Sequence, residues 1–325
     1  MSTNTMKRIL VTGATGQIGS ELAMELRKRY GGDNVIAAGH RRKPSEKLFS
    51  SGPFEYLDVT KKGNVGKVVE KYDVDTIYHL AAVLSAVGEQ NPQLAWAVNM
   101  DGLYNVLEVA REHNVVRVFW PSSIAVFGPE TSRVDTPQDA VLIPRTMYGV
   151  TKVAGELLCN YYFIRFGLDV RSVRYPGIIS SETPPVGGTT DYAVKIFYEA
   201  LEKKRYSCFV REDTVLPMMY MPDCTKAAID LMEAASSRIK CRTSYNVTGI
   251  SFSAGELAAE IRKHIPGFEC EYKPDFRQEI ADSWPMSIDD SVAREEWGWK
   301  STYDLAAMTK DMIEKLAKRF AGGNL

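Results

Sequence analysis

The first 180 residues alternate between short apolar stretches and amphipathic stretches, and this alternation constrains the fold more than any other feature of the sequence. Several apolar stretches are nearly continuous, as in parallel strands covered by helices on both faces. The stretches between them repeat apolar residues at helical spacing, for example Ile18, Leu22 and Leu26. The sequence therefore predicts an α/β fold with a Rossmann-type, doubly wound parallel sheet. We expect its strands at residues 8–13, 34–39, 54–59, 76–81, 117–121 and 169–174.

The pattern changes after about residue 176. Residues 181–190 form a stretch rich in Pro, Gly and Thr, which is typical of a loop. Helices are predicted near 191–204, 223–235, 253–264 and 303–319, with a short strand at 245–248. We therefore expect a dinucleotide-binding domain at 1–180 and a smaller carboxy-terminal substrate-binding region at 181–325, interleaved with the sheet domain.

Charge and composition exclude several classes of protein. Lys and Arg total 40 and Asp and Glu total 41, so the excess of positive charge that a nucleic acid requires is missing. The longest apolar run, residues 77–87, is much shorter than the ~20 residues of a membrane span. The five cysteines are scattered and never two or four apart, which argues against a metal site and against disulfides. We expect no metal and a soluble protein in a reducing compartment, with cytoplasm and mitochondrial matrix both open.

A glycine-rich turn follows the first predicted strand and precedes the first predicted helix. Glycines at this place allow a tight turn and let backbone N–H groups approach a pyrophosphate. The turn therefore predicts a dinucleotide site formed by Gly13, Gly16, Gln17, Ile18 and Gly19.

Residues at the ends of other predicted strands converge on the same crevice. Asp58 is placed to accept a hydrogen bond from the adenine amino group, or equally to cap a helix before Thr60. The small residues Ala81 and Ala82 let the nucleotide lie close to the backbone, and Asn99 is expected to fix the chain near it. The remaining expected cofactor contacts are Val59, Leu80, Tyr175 and Ile178.

The second predicted strand ends in Gly39, His40, Arg41 and Arg42. A site that selects NAD usually has Asp or Glu here, bonded to the ribose hydroxyls. Arginines instead attract the additional phosphate of NADP. Taken alone, His40 and Arg41 as cofactor contacts favour NADP, or tolerance of both dinucleotides.

Tyr148 and Lys152 are four residues apart, so on a helix they project from one face. We expect the Lys152 ammonium to lower the pKa of the Tyr148 phenol and to hold the ribose of the cofactor. Ser123 lies 25 residues before Tyr148, at the predicted carboxyl end of the fifth strand, where α/β sheets bind ligands. This set predicts alcohol oxidation: Ser123 orients the hydroxyl, Tyr148 takes its proton, and hydride passes to the nicotinamide. His79 is predicted to be a satisfied core histidine rather than part of a Ser–His pair.

The motifs Thr12–Gly19, Ser122–Gly128 and Tyr148–Lys152 resemble those of extended short-chain dehydrogenases/reductases. Three further segments, Arg174–Ser180, Gly187–Ala193 and Ile280–Pro285, are more specifically similar to the short-chain L-threonine dehydrogenases. The resemblance covers about residues 7–320.

This resemblance implies oxidation of the L-threonine side chain with NAD to 2-amino-3-ketobutyrate, which feeds glycine and acetyl-CoA formation. It implies catalytic roles for Tyr148, Ser123 and Lys152. The substrate contacts that it implies are Ser85, Ser123, Tyr148, Thr189, Thr190, Asp191 and Trp284. Thr189 to Asp191 are alternatively a helix cap before Tyr192. The resemblance favours NAD, although NADP is not excluded by His40 and Arg41.

Two other functions compete with this prediction. A nucleotide-sugar epimerase or dehydratase has the same fold, but typically an Asn-aromatic-Gly-Pro turn where this chain has Tyr175-Pro-Gly. A non-catalytic dinucleotide sensor would not need Ser123, Tyr148 and Lys152. We also expect a homodimer through helices near 101–113 and 149–165, whose outer faces carry Leu157, Leu158, Tyr161 and Tyr162.

Overall fold

The computed structural model describes residues 6–184 and 188–322. Residues 185–187 of the predicted loop lie outside it, and so does the first residue of the Gly187–Ala193 segment. The strands are β1 (Ile9–Thr12), β2 (Val35–Gly39), β3 (Phe54–Tyr56), β4 (Thr76–His79), β5 (Arg117–Phe119), β6 (Ser122–Ser123), β7 (Asp169–Arg171), β8 (Val173–Tyr175), β9 (Gly177–Ile179), β10 (Arg205–Cys208), β11 (Val215–Tyr220), β12 (Tyr245–Asn246), β13 (Ile250–Ser253) and β14 (Glu269–Tyr272). The α-helices are α1 (Gln17–Tyr30), α2 (Glu46–Ser50), α3 (Lys62–Tyr72), α4 (Ser85–Gln90), α5 (Pro92–Trp96), α6 (Gly102–Glu112), α7 (Met147–Phe166), α8 (Tyr192–Lys203), α9 (Met221–Glu233), α10 (Ala254–His264), α11 (Arg277–Asp282), α12 (Ser291–Trp297) and α13 (Leu305–Ala321).

The main sheet contains six parallel strands in the order β3-β2-β1-β4-β5-β7. Its strand order is that of a dinucleotide-binding α/β fold, which confirms the predicted fold class. Helices cover both faces, and β1, β2 and β4 are buried along their whole length. This double coverage explains why these strands are almost continuous apolar runs in the sequence.

The predicted sixth strand, residues 169–174, is wrong as a single element. The chain leaves the main sheet after β7 and continues as β8, which pairs with β6 and β12 in a second, parallel sheet. The buried Arg171 side chain donates to the Leu231 and Ala234 carbonyls, and the buried Arg174 side chain pairs with Glu156. Because Arg171 and Arg174 bond to different parts of the fold that are distant in sequence, residues 169–174 do not continue as one strand. Ser123 likewise lies in β6 of the second sheet and not at the end of β5.

The carboxy-terminal part adds two further small sheets, β13-β11-β9 and β10-β14. The four helices predicted here are present as α8, α9, α10 and α13. Strand β9 pairs with β11, so hydrogen bonds cross the predicted boundary at residue 180, and the division into two regions stays a prediction. Within residues 6–184 and 188–322, no helix is long and apolar enough to cross a membrane.

The outer face of α7 differs in part from the prediction. Leu157 and Tyr161 are more than half exposed, as expected. Tyr162 is buried instead, because its hydroxyl donates to the Glu108 carboxylate on the neighbouring α6. Leu158 is half-buried and packs with the core around α6.

Candidate active site

The turn between β1 and α1 accepts only glycine at two positions. Gly13 has φ +69°, and a Cβ added to it would lie 2.6 Å from the Ala81 nitrogen. A Cβ on Gly19 would lie 2.3 Å from the Gly13 carbonyl oxygen. The first residue of α1 is Gln17, and its N-cap, Gly16, makes no side-chain cap. The first turn has no acidic residue, so its free N–H groups and the helix dipole suit an anion. The turn therefore fits the pyrophosphate of a dinucleotide.

The start of α1 is joined to the middle of β9 by a long hydrogen bond from the Gln17 Nε2 to the Ile178 carbonyl oxygen, 3.5 Å. Both residues line a cavity that runs from the glycine turn to Ser123 and Tyr148. The glycine turn and the predicted catalytic hydroxyls therefore share one cavity.

Gly149 positions the predicted base. The Thr146 side chain caps α7 by accepting from the Gly149 nitrogen at 3.0 Å. A Cβ on Gly149 would lie 2.3 Å from the Ala125 carbonyl oxygen, so glycine lets α7 start close against the segment that follows β6. As a result Tyr148, the second residue of α7, lies beside Ser123, the last residue of β6.

Burial dominates the electrostatics of Tyr148. It raises the pKa of the phenol to about 12, while a hydrogen bond with the Ser123 side chain acts in the opposite direction. We expected Lys152 to lower the pKa of Tyr148. This expectation is wrong, because burial raises that pKa instead. Burial also lowers the pKa of Lys152, to about 7, because both side chains are removed from water.

Lys152 has a fixed position under Tyr148. Its Nζ donates to the Pro121 carbonyl oxygen at 2.6 Å and lies 4.4 Å from the centre of the Trp120 ring. It is 5.4 Å from the centre of the Tyr148 ring. Lys152 and Tyr148 thus share one face of α7, as their spacing predicts, and both line the cavity.

A buried ion pair below this group was missed in the sequence. The Glu156 carboxylate accepts from the Ser122 hydroxyl at 2.6 Å and from two Arg174 nitrogens at 2.8 and 2.9 Å. Glu156 is 1% and Arg174 3% exposed. The pair ties β6 and β8 to α7, which holds Ser123 and Tyr148 in register. Continuing the four-residue spacing from Lys152 to Glu156 would have found it.

The residues predicted for the substrate line the same cavity. Thr189, Thr190 and Asp191 form a single 3₁₀ turn before α8, and Ser85 and Trp284 line the cavity with them. The Asp191 carboxylate accepts from the Gly188 nitrogen at 2.8 Å, so it caps this 3₁₀ turn, whereas the side-chain cap considered for the helix that begins at Tyr192 is not formed. Thr189 is 3% exposed.

Five predicted cofactor residues do not line this cavity and lie around the carboxyl edge of the main sheet: His40, Arg41, Asp58, Val59 and Asn99. Asp58 accepts from the Thr60 nitrogen and hydroxyl at 3.0 and 2.7 Å, and these bonds lower the pKa of its carboxyl. Asn99 bonds to the Val83 backbone nitrogen and oxygen, so it fixes the loop after β4, as expected.

Tyr175 and His79 both line the cavity, and each also bonds into the core. Tyr175 lines the cavity, but its hydroxyl is directed into the core, where it donates to the Cys224 carbonyl oxygen at 2.7 Å. His79 lines the cavity as well, and only half of its ring is satisfied. Its Nδ1 lies 2.7 Å from the Thr12 hydroxyl, whereas its buried Nε2 has no hydrogen-bond partner. Burial lowers the pKa of His79 to about 3, so the ring is neutral.

Solved structures similar to this chain include several threonine dehydrogenases. L-threonine dehydrogenase from Clostridium difficile is 54% identical, with a TM-score of 0.95 over 97% of this chain and 99% of that one. The holo form of a GalE-like L-threonine dehydrogenase from Cupriavidus necator is 52% identical, with a TM-score of 0.93 over 95% and 99%. A monomeric L-threonine 3-dehydrogenase from a metagenome is 46% identical, with a TM-score of 0.91 over 95% and 99%. These similarities confirm the resemblance to L-threonine dehydrogenases.

A relative in Staphylococcus haemolyticus, described as an uncharacterized epimerase/dehydratase, is 50% identical over 97% of this chain and 99% of its own length. The model of the NAD dependent epimerase/dehydratase family matches residues 9–247, more than half of the chain. Together with the strand order and the glycine turn, these matches show that the chain belongs to the NAD dependent epimerase/dehydratase family.

Proposed function

We propose that this protein oxidises the side-chain hydroxyl of L-threonine to 2-amino-3-ketobutyrate, with NAD as the hydride acceptor. The observation that carries the proposal is that one cavity is lined by Ser123 and Tyr148, by the turn Thr189–Asp191 and by the glycine turn. About half of the sequence is shared with several threonine dehydrogenases over nearly the whole chain, which supports the choice of substrate.

In this proposal Ser123 and Tyr148 act together on the hydroxyl group of the substrate. Ser123 bonds the substrate oxygen, and Tyr148 as phenolate removes the hydroxyl proton. The electron pair of the O–H bond then forms the carbonyl double bond, and the carbon that carried the hydroxyl loses its hydrogen as hydride. When bound, the oxidised nicotinamide supplies the acceptor for this hydride and a positive charge near the phenol. General base assistance of this kind contributes ~10²–10⁴-fold to the rate.

Lys152 supports the base from below. With a pKa of about 7 it exchanges its proton near neutral pH, and it lies under the Tyr148 ring. Its nitrogen is placed to donate to the ribose hydroxyls of the dinucleotide. The Pro121 carbonyl fixes the nitrogen, so that these interactions need no rearrangement.

The turn before α8 suits the amino-acid end of threonine. Hydroxyl and N–H groups of Thr189 and Thr190 match a carboxylate, and the Asp191 carboxylate matches an ammonium. The buried Trp284 closes the same side of the cavity and excludes water. Residue 191 therefore combines capping of the turn with recognition of the substrate.

The test is the rate of NADH formation with L-threonine, with the product identified by mass spectrometry. UDP-glucose is incubated in parallel and its epimer is sought by chromatographic separation, because epimerisation forms no net NADH and leaves the mass unchanged. We expect turnover with threonine and none with the nucleotide sugar. Tyr148→Phe should bind NAD as the wild type does and lose turnover. Turnover of UDP-glucose alone would assign the epimerase function instead, and unchanged turnover in Tyr148→Phe would refute the mechanism.

We also propose a homodimer formed by the α7 face. Leu157, Tyr161 and Ile164 are 60%, 52% and 72% exposed, and Tyr104 of the adjacent α6 is 50% exposed. Leu157, Tyr161 and Ile164 are four and three residues apart on α7, so they share one face of this helix, and α6 packs beside it. An apolar surface of this kind favours association. Light scattering should give twice the chain mass for the wild type and the chain mass for Ile164→Asp, whereas a monomeric wild type would contradict the proposal.

A further inference from the structure

The end of β2 carries a run of four basic residues, three of which the structure leaves unpaired. His40, Arg41, Arg42 and Lys43 are all exposed and follow Gly39, the last residue of the strand. Within the described residues, Arg41, Arg42 and Lys43 make no ion pair, hydrogen bond or ring contact. Three unpaired positive charges at one strand end favour an anionic ligand.

This run lies directly beside the glycine turn. The Ala14 nitrogen donates to the Ala38 carbonyl oxygen at 2.9 Å, and the Thr15 side chain packs on Gly39. A Cβ on Gly39 would lie 2.7 Å from the Thr15 Cγ2 and 3.0 Å from its Oγ1. In a dinucleotide fold, the end of the second strand is where the adenosine ribose is recognised.

The carboxylate that would recognise free ribose hydroxyls is missing from this strand end. Asp58 is the carboxylate that the structure brings to the run, with its Oδ2 3.8 Å from the His40 Nε2. Its Oδ1 already accepts two bonds from Thr60. The 2′ position of a ribose bound at the end of β2 would therefore meet cations.

Two of these cations, Arg42 and Lys43, line a cleft. A cleft of about 950 Å³ begins at Thr15 and is bordered by Arg42, Lys43, Ser45 and Lys47. It contains carboxylates too, on Glu21, Glu25, Glu182 and Asp230. Its other cations, except Arg319, pair with carboxylates: Arg29 with Glu233, Lys226 with Asp230 and Lys315 with Asp311. The unpaired positive charge is thus concentrated at the end nearest the glycine turn.

We propose that residues 40–43 form a subsite for a ribose 2′-phosphate, so that the protein binds NADP in addition to NAD. Guanidinium groups bind phosphate oxygens in pairs of charge-assisted hydrogen bonds, and Thr15 adds a hydroxyl donor. The inference shares the dinucleotide site with the proposed function but is independent of the identity of the substrate.

Binding measurements test the subsite without turnover. Isothermal titration calorimetry of the whole protein compares 2′,5′-ADP with 5′-AMP, and NADP with NAD, at two salt concentrations. We expect 2′,5′-ADP to bind at least ~10-fold more tightly than 5′-AMP, with an advantage that shrinks as salt rises. An equal affinity for the two fragments would overturn the proposal.

Variants locate the effect. The double variant Arg41→Ala/Arg42→Ala should remove most of the preference for 2′,5′-ADP over 5′-AMP. His40→Asp should weaken NADP and strengthen NAD. The control Lys7→Ala/Lys195→Ala removes the same charge at two other exposed positions and should preserve the preference. A preference lost equally in the control would refute a local subsite. Tight NADP binding without threonine turnover would contradict the proposed function and would still support the phosphate subsite.

Discussion

The Ser122 hydroxyl donates a 2.6 Å hydrogen bond to the Glu156 carboxylate, and both groups are almost fully buried. Because Ser122 precedes Ser123 and Glu156 lies one helical turn beyond Lys152, this bond joins the two elements that carry the reacting groups. Arg174 neutralises the carboxylate from the other side. The alignment of Ser123 with Tyr148 thus depends on an ion pair that touches neither substrate nor cofactor.

Glu156→Gln should lower both stability and activity. The amide keeps a partner for Ser122 but leaves the buried Arg174 guanidinium without its counter-charge, at a cost of about 3–5 kcal/mol in free energy of unfolding. Urea unfolding measures the loss, and kcat should fall in the fraction that remains folded. Glu202→Gln, on the exposed face of α8, is the matched control and should change neither. A variant as stable as this control would contradict the role of the pair.

The rate of threonine oxidation should rise with pH. Only the phenolate of Tyr148 accepts the substrate proton, and burial raises the pKa of this phenol to about 12, so the active fraction grows throughout the range from pH 7 to 10. Ser123 lowers this pKa, and Ser123→Ala should therefore displace the rising limb of the kcat profile to higher pH and reduce kcat. Ser123→Thr, which retains a hydroxyl, should restore the position of the limb. A limb that stays in place in Ser123→Ala would exclude electrostatic coupling between the two hydroxyls.

Much of this arrangement could be predicted from the sequence because it is local. The near-continuous apolar runs predict the main sheet, and the Gly13–Gly19 turn follows β1 directly. Tyr148 and Lys152 project from one face of α7 because their spacing is helical. Each of these features depends on residues within one or two turns of each other.

The remaining features depend on contacts between distant residues. The break between β7 and β8 is set by Arg171 and Arg174, whose partners lie on α9 and α7. The inward direction of the Tyr175 hydroxyl is set by Cys224, 49 residues later. Burial, and not the nearby ammonium, decides the pKa of Tyr148. Sequence spacing contains none of this information.

Glu21 should make stability depend on pH. It lies on α1, accepts from the Ser180 hydroxyl, and its pKa is raised to about 7 by burial and, to a smaller degree, by Glu182. The folded state therefore holds this proton more tightly than the unfolded state, whose pKa is near 4.5. The resulting stabilisation is complete below pH 4.5 and is lost as pH rises through about 7.

Glu21→Gln removes this loss. At pH 8 the variant should be more stable than the wild type by at most about 3 kcal/mol, and the difference should vanish near pH 4.5. Urea unfolding at pH 4.5, 6 and 8 gives the two curves. Parallel curves would show that the carboxyl titrates normally in the folded protein.

Gly149→Ala should damage catalysis through position alone. The new methyl group would lie 2.3 Å from the Ala125 carbonyl oxygen, a backbone atom that cannot rotate away, so the start of α7 must move away from the end of β6. Tyr148 precedes this residue and moves with it. A displacement of about 1 Å between reacting groups can cost ~10²-fold in rate, so we expect a loss of this size in kcat and a smaller change in NAD affinity.

Gly63→Ala is the matched control, since a methyl group there, on α3, meets no atom within 4 Å. It should gain up to about 1 kcal/mol from helix propensity and keep full activity. Full activity in Gly149→Ala would mean that Ser123 and Tyr148 do not need the close approach of α7 to the segment after β6.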